Sequence, residues 1–144
     1  MIDSHCHLAG EEFEADLPAV VERARQAGVR GALVILSAGD EPERQRAARV
    51  RELWPDVRFS VGIHPHQAGQ HGAQIEQGMA TVAAEATSSQ AVAIGEIGLD
   101  YHYDFSPREV QRQVFRHQIR LARELAWPVV IHTREADADT IDIL

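Results

Sequence analysis

Two histidines spaced two apart, His5 and His7 in the run Asp3-Ser-His-Cys-His7, are the first side chains able to do chemistry. In an extended segment alternate side chains share a face, so both imidazoles project to one side, close enough to chelate one metal ion. The competing reading is a pair of polar residues at a strand end with no ligand. Cys6 points the opposite way by the same alternation and reads as a small buried residue. Glu96, in Ala93-Ile-Gly-Glu-Ile-Gly-Leu-Asp100, ends an apolar strand between glycines. A carboxylate there is costly unless it is paired or bound to metal, and its two oxygens can bridge two ions. A salt bridge to an arginine is the competing reading.

His132 terminates Val129-Val-Ile131 and reads as another ligand, against a purely structural histidine. Arg134 suits either a phosphate contact or an ion pair. In Gly62-Ile-His-Pro-His66 the proline fixes the backbone between two histidines, so one or both of His64 and His66 face the substrate. Asp100 and Tyr101 follow the Glu96 segment on a loop, where they orient ligands or cap the turn. His71, His102 and His117 read as surface or packing residues.

The elements that must position these groups alternate along the chain. Apolar runs over 1–7, 32–36, 57–63, 91–95 and 128–132 read as strands. Between them the spacing predicts helices: one opening at Asp16, with Leu17, Val20, Val21 and Ala24 on one face and Gly28 past its end, then 41–54, 73–87, and a long one opened by a Ser106-Pro-Arg-Glu109 capping box. A further helix begins near Ala136. Short connections between alternating strands and helices mean parallel βαβ units, in a doubly wound sheet or a (β/α)8 barrel. The polar residues favour the barrel, because His5, His7, His64, His66, Glu96 and His132 fall at the ends of several different strands rather than at one switch point.

Net charge of −8 argues against duplex reading by a basic stripe, while leaving open a nucleic-acid substrate held on metal ions. No run approaches the roughly 18 apolar residues of a membrane span, the start lacks a signal-peptide layout, and one cysteine excludes an internal disulfide framework. The expectation is a cytoplasmic protein.

The motifs Asp3-Ser-His-Cys-His-Leu8, Gly62-Ile-His-Pro-His66, Ala93-Ile-Gly-Glu-Ile-Gly-Leu-Asp-Tyr101, the helix through Gln111 and Gln118, and Pro128-Val-Val-Ile-His-Thr-Arg134 resemble, in order and spacing, the TatD-type metal-dependent deoxyribonucleases. The resemblance implies a (β/α)8 TIM barrel that cleaves phosphodiester bonds of DNA, at single strands or 3′ ends, with two divalent metal ions: zinc, manganese or magnesium. It implies that His5 and His7 bind one ion, Glu96 bridges two and His132 binds the second. His64 then lies near the substrate phosphate as a catalytic group, with His66, Arg134 and Asp100 as weaker substrate-side candidates. The implied chemistry is a two-metal hydroxide mechanism with ions roughly 3.5–4 Å apart.

The family's remaining ligands, a histidine and an aspartate from later strands, have no counterpart here, and Asp137, Asp139 and Asp142 lie on an incipient helix. The expectation is that residues 1–144 are the N-terminal part of a single domain, the first four to five βα units of a fold that typically takes roughly 250 residues. Such a piece has open sheet edges and is expected to be inactive alone, or to self-associate. The rival functions are an amidohydrolase or phosphoesterase acting on a small molecule, and an inactive barrel scaffold.

Overall fold

The computed structural model describes residues 1–144, all of the chain. Five strands, β1 (Ile2–Cys6), β2 (Gly31–Ser37), β3 (Arg58–Gly62), β4 (Ala93–Asp100) and β5 (Val129–Arg134), form one sheet. Each strand pairs in parallel with the next in sequence, in the order β1-β2-β3-β4-β5. That order decides between the two architectures, because a doubly wound sheet reverses direction at a switch point and this one never does. With right-handed crossovers, an unreversed order carries every connecting helix to the same side of the sheet. The result is about half of a (β/α)8 barrel.

The helices are α1 (Leu17–Gln26), α2 (Glu41–Leu53), α3 (Ala68–His71), α4 (Ile75–Ser88), α5 (Arg108–Leu125) and α6 (Asp137–Ile143). Alternation along each strand sends one set of side chains to the helices and the other toward the barrel interior. Ala32, Val34 and Leu36 of β2 join Phe59 and Val61 of β3 in a core of 28 buried residues that also takes Val21, Val50, Val82 and Phe115 from α1, α2, α4 and α5. On the interior face Ile35, Ser60 and Ala93 lie in register across three strands and are buried outside that core. The Ser60 hydroxyl has no hydrogen-bond partner there.

Helix ends follow the sequence at two places and depart from it at a third. Asp40 accepts from the Glu43 N–H (2.8 Å) at the start of α2. Gly28, at φ +83°, ends α1 with the Val29 N–H donating back to the Ala24 carbonyl (3.0 Å), as expected of a glycine in the left-handed region. The Ser106-Glu109 capping box does not form: α5 begins at Arg108 after Pro107, without a side-chain cap. The Ser106 hydroxyl donates instead to the His66 carbonyl (2.9 Å) and accepts from the Gly69 N–H (2.8 Å), tying the β3 and β4 loops together.

β4 also runs farther than its apolar stretch, to Asp100 rather than Gly95. Its ladder with β5 shifts register between Ile94 and Ile97, then resumes through Gly98 opposite His132 and Asp100 opposite Arg134. Glu96 therefore lies within the strand, at the irregularity, not at its end. The glycines allow the close approach this requires: a Cβ on Gly62 would come within 2.8 Å of the Gly95 Cα, and one on Gly95 within 2.6 Å of Val130.

Candidate metal centre

At the C-terminal end of the half-barrel a cleft of about 410 Å³ is lined by His5, His7, His64, His66, Glu96, His132 and Arg134 among others. Four strands or their immediate ends supply these groups, as a barrel site requires. A cleft of similar volume beside α2, about 400 Å³, is lined by Arg46, Arg49 and one carboxylate, Glu14, and contains no histidine.

Glu96 is central. Its Oε2 faces β1, 3.3 Å from His5 Nε2 and 3.9 Å from His7 Nε2, and its Oε1 faces β5, 2.9 Å from His132 Nδ1. Ligating atoms of His5, His7 and Glu96 lie within 4.8 Å of one another, and so do those of His64, Glu96 and His132. Nitrogen and carboxylate donors of this kind suit zinc or manganese more readily than magnesium. Burial pushes the Glu96 carboxyl up, but the hydrogen bond with His132 and the neighbouring His64 and His5 rings bring it below its ordinary value. Glu96 is therefore ionised and available as a ligand.

Asp100 has no exposed surface. Its Oδ2 lies 2.8 Å from His66 Nε2 and 3.1 Å from His132 Nε2, and 3.6 Å from the Arg134 guanidinium. Its Oδ1 accepts the His102 and Tyr103 N–H groups (3.0 and 3.1 Å). Burial alone would raise this carboxyl; the His66, Tyr103, His132 and His102 hydrogen bonds hold it well below the usual carboxylate range. The substrate-side expectation for Asp100 is corrected accordingly. It ends β4 instead of starting a loop, and it has no surface to offer a substrate. It aligns two histidines and anchors the next loop, while His66 and Arg134 do reach the cleft.

His132 thus has a carboxylate at each ring nitrogen. The Glu96 hydrogen bond raises its pKa against the opposing effect of burial, and Asp100 adds to the rise. His64 behaves oppositely: burial, then the neighbouring His132, push it down to about 4, so its ring is neutral at pH 7. The His66 N–H donates to His64 Nδ1 (3.2 Å), which leaves the ring proton on Nε2, facing the cleft and His132. Proximity puts His64 in the second donor set, but this hydrogen bond makes its Nε2 a donor rather than a ligand.

None of the remaining histidines lines the cleft: His71 ends α3 beside Gly78 of α4, His102 pairs with Glu135 (2.8 Å) and His117 with the Gln113 carbonyl (2.8 Å). Asp139 and Asp142 pair with Arg112 and Arg116, and Asp137 with Thr133. Cys6 packs toward the core and donates to the Leu33 carbonyl (3.6 Å), and burial raises its thiol pKa.

Two site-building residues carried no role in the sequence reading. Gln118 is buried and binds both backbone groups of Ile63, accepting from its N–H (2.7 Å) and donating to its carbonyl (3.0 Å). Gln111 does the same at Asp100 (2.8 and 3.0 Å) and also reaches the Ser106 carbonyl. A primary amide has a donor and an acceptor, so each satisfies the two groups orphaned where a ladder ends. The signal for them was a pair of amides seven apart, flanking the buried face of Val114 and Phe115.

The family model described as TatD related DNase matches residues 2–144. The chain belongs to the TatD-related DNase family. A Bacillus subtilis (strain 168) protein described as the uncharacterized metal-dependent hydrolase YabD is 38% identical over 144 residues, covering 100% of this chain and 54% of its own length. A Rahnella protein named 3′-5′ ssDNA/RNA exonuclease TatD is 41% identical over 138 residues, covering 94% and 50% respectively. The crystal structure of the TatD homolog YJJV from Escherichia coli superposes with a TM-score of 0.75 at 30% identity, over 97% of this chain and 53% of that one. A TatD family hydrolase from Entamoeba histolytica gives 0.82 at 22% identity, over 99% and 52%, and supports the fold alone. The TatD-family chain described here spans about half the length of these relatives. No helix in it is long and apolar enough to cross a membrane.

Proposed function

We propose that this chain is the first five strand–helix units of a (β/α)8 hydrolase that removes nucleotides from the 3′ end of single-stranded nucleic acid with two divalent cations. The observation that carries the reading is Glu96, whose two carboxylate oxygens face two separate histidine groups across the cleft. In this reading His5, His7 and Glu96 would hold one cation, and Glu96 with His132 would hold the other. The names of relatives at about 40% identity, 3′-5′ ssDNA/RNA exonuclease and metal-dependent hydrolase, support the substrate class and the reaction.

Two cations in such a site supply a nucleophile at neutral pH and neutralise charge on the phosphate. The chain's own groups do the rest. Asp100 fixes the His132 ring through Nε2, so that Nδ1 is the nitrogen turned toward Glu96. His64 holds its proton on Nε2, a donor for a phosphate oxygen, because the His66 N–H occupies Nδ1. Arg134, half exposed at the cleft beside Asp100, keeps a cationic group near the phosphate.

The test is ion stoichiometry and 3′ exonuclease turnover of the full-length protein, carrying the later strands that this chain's relatives have, and of its Glu96→Ala variant. The expected result is two ions for the parent and at most one for the variant, with turnover down by about 10³ or more, the loss of several kcal/mol of charge stabilisation. Retention of both ions and of metal-dependent turnover by the variant would overturn the bridging role.

A further inference from the structure

Beside the centre stands an aromatic pair with no role in the assignments above. Tyr103 and Phe105, on the loop after β4, are 50% and 66% exposed and adjoin one another, a contiguous exposed aromatic patch that Tyr103 shares edge-on with His102 (4.6 Å). They lie parallel and offset, with centroids 5.4 Å apart and planes within 5°. The Phe105 ring meets His66 edge-on at 4.8 Å, and the Arg134 guanidinium lies 5.1 Å over the Tyr103 ring. His66 and Arg134 both line the cleft that holds Glu96, so the pair borders the centre directly.

The loop is held in place. Asp100 Oδ1 accepts the His102 and Tyr103 N–H groups, and Arg108 pairs with Asp104 (3.1 Å), the residue between the two rings, and donates to the Tyr101 carbonyl (3.1 Å). The carboxylate that aligns His132 and His66 therefore also fixes the loop bearing the rings. Arg134 covers part of the Tyr103 ring and Phe105 is the more exposed of the two, and partly exposed aromatic rings fixed beside a cationic guanidinium are what single-stranded nucleic acid uses for base stacking, independently of sequence. A phosphate at Arg134 and the centre would leave its attached base next to these rings.

We propose that Tyr103 and Phe105 form a stacking platform for a base of single-stranded nucleic acid whose backbone phosphate lies in the Glu96 cleft. The inference rests on the nucleic-acid reading of the site and adds the group that recognises the base. It requires that discrimination be by π-face, with little preference among the four bases, and that a substrate lacking the base gain nothing from the rings.

The experiment compares the full-length, metal-loaded protein with Tyr103→Ala, Phe105→Ala and Tyr103→Phe variants, using two probes. One is a short single-stranded oligonucleotide with phosphorothioate linkages, followed by fluorescence anisotropy. The other is the same strand with abasic spacers in place of its last two 3′ bases. Because both rings are exposed, the alanine variants are expected to fold normally, which circular dichroism checks. The expected result is that either alanine variant binds the base-bearing strand roughly tenfold more weakly, the size of one lost base–aromatic stack. Tyr103→Phe is expected to bind like the parent, and all variants to bind the abasic strand alike.

Equal binding of the base-bearing strand by parent and alanine variants overturns the platform, as does an equal loss on both probes or failure of the parent to bind either strand. Failure of the nuclease reading looks different. The parent would bind and the alanine variants would lose that binding, while no metal supported cleavage of an unmodified strand.

Discussion

Asp100 Oδ2 lies 3.1 Å from His132 Nε2, so the ring presents its other nitrogen, Nδ1, to Glu96 at 2.9 Å. A carboxylate behind a ligating histidine fixes its tautomer and raises its basicity. Asp100→Asn keeps the shape and removes the charge. The variant is expected to bind zinc or manganese about 10–100-fold more weakly, read by competition with a chromogenic chelator. Affinity equal to the parent's would show that His132 needs no such partner.

His64 and His132 stand 3.3 Å apart, and the proposed function gives them different roles. His132→Ala is expected to lose one ion per chain. His64→Ala is expected to keep full ion stoichiometry and lose about 10²-fold in kcat, the effect of removing one aimed hydrogen-bond donor. Metal analysis alongside steady-state kinetics separates the two; loss of an ion from His64→Ala would make His64 a ligand.

The Gln118 amide satisfies both backbone groups of Ile63 just before His64. Gln118→Leu leaves a buried N–H and a buried carbonyl without partners, at about 1–3 kcal/mol each. Chemical denaturation is expected to give a loss of roughly 2–6 kcal/mol. A loss below about 0.5 kcal/mol would mean that water or a neighbour replaces the amide.

Glu43 is buried on α2, where its Oε2 accepts the Ser37 N–H (2.6 Å). Burial raises its pKa above the ordinary 4.5, a rise that the Ser37 hydrogen bond only partly offsets. An acid raised on folding favours its protonated form in the fold. Its contribution to stability is therefore full below about 4.5 and is lost as pH rises through the folded value. Glu43→Gln keeps an acceptor for Ser37 and has no charge to bury. It is expected to melt above the parent at pH 8, with the difference vanishing near pH 4.5. A pH-independent difference in melting temperature would exclude the ionisation as its cause.

Much of the frame was legible in the chain. Alternation placed His5 and His7 on one face, opposite Cys6, and helical periodicity located four long helices to within a few residues. The apolar runs marked five strands, although β4 outran its own, because its continuation through Glu96 to Asp100 is stabilised by pairing with β5 rather than by local hydrophobicity. Ser106 misled for a related reason: its hydroxyl found partners on the β3 loop, which a reading of neighbouring residues does not contain.

By itself, the sequence determined which residue types stand at the strand ends, which of them share a face, and the family to which their motifs belong. Those are relations within one element, and spacing along the backbone sets them. The tertiary structure decided the unreversed strand order, the division of Glu96 between two histidine groups, the withdrawal of Asp100 into a buried support, the two glutamine clamps, and the stacking of Tyr103 on Phe105 beside Arg134. Each of these is a distance between elements far apart in the chain, fixed by sheet register and by the satisfaction of buried polar groups, to which no local pattern of residues corresponds.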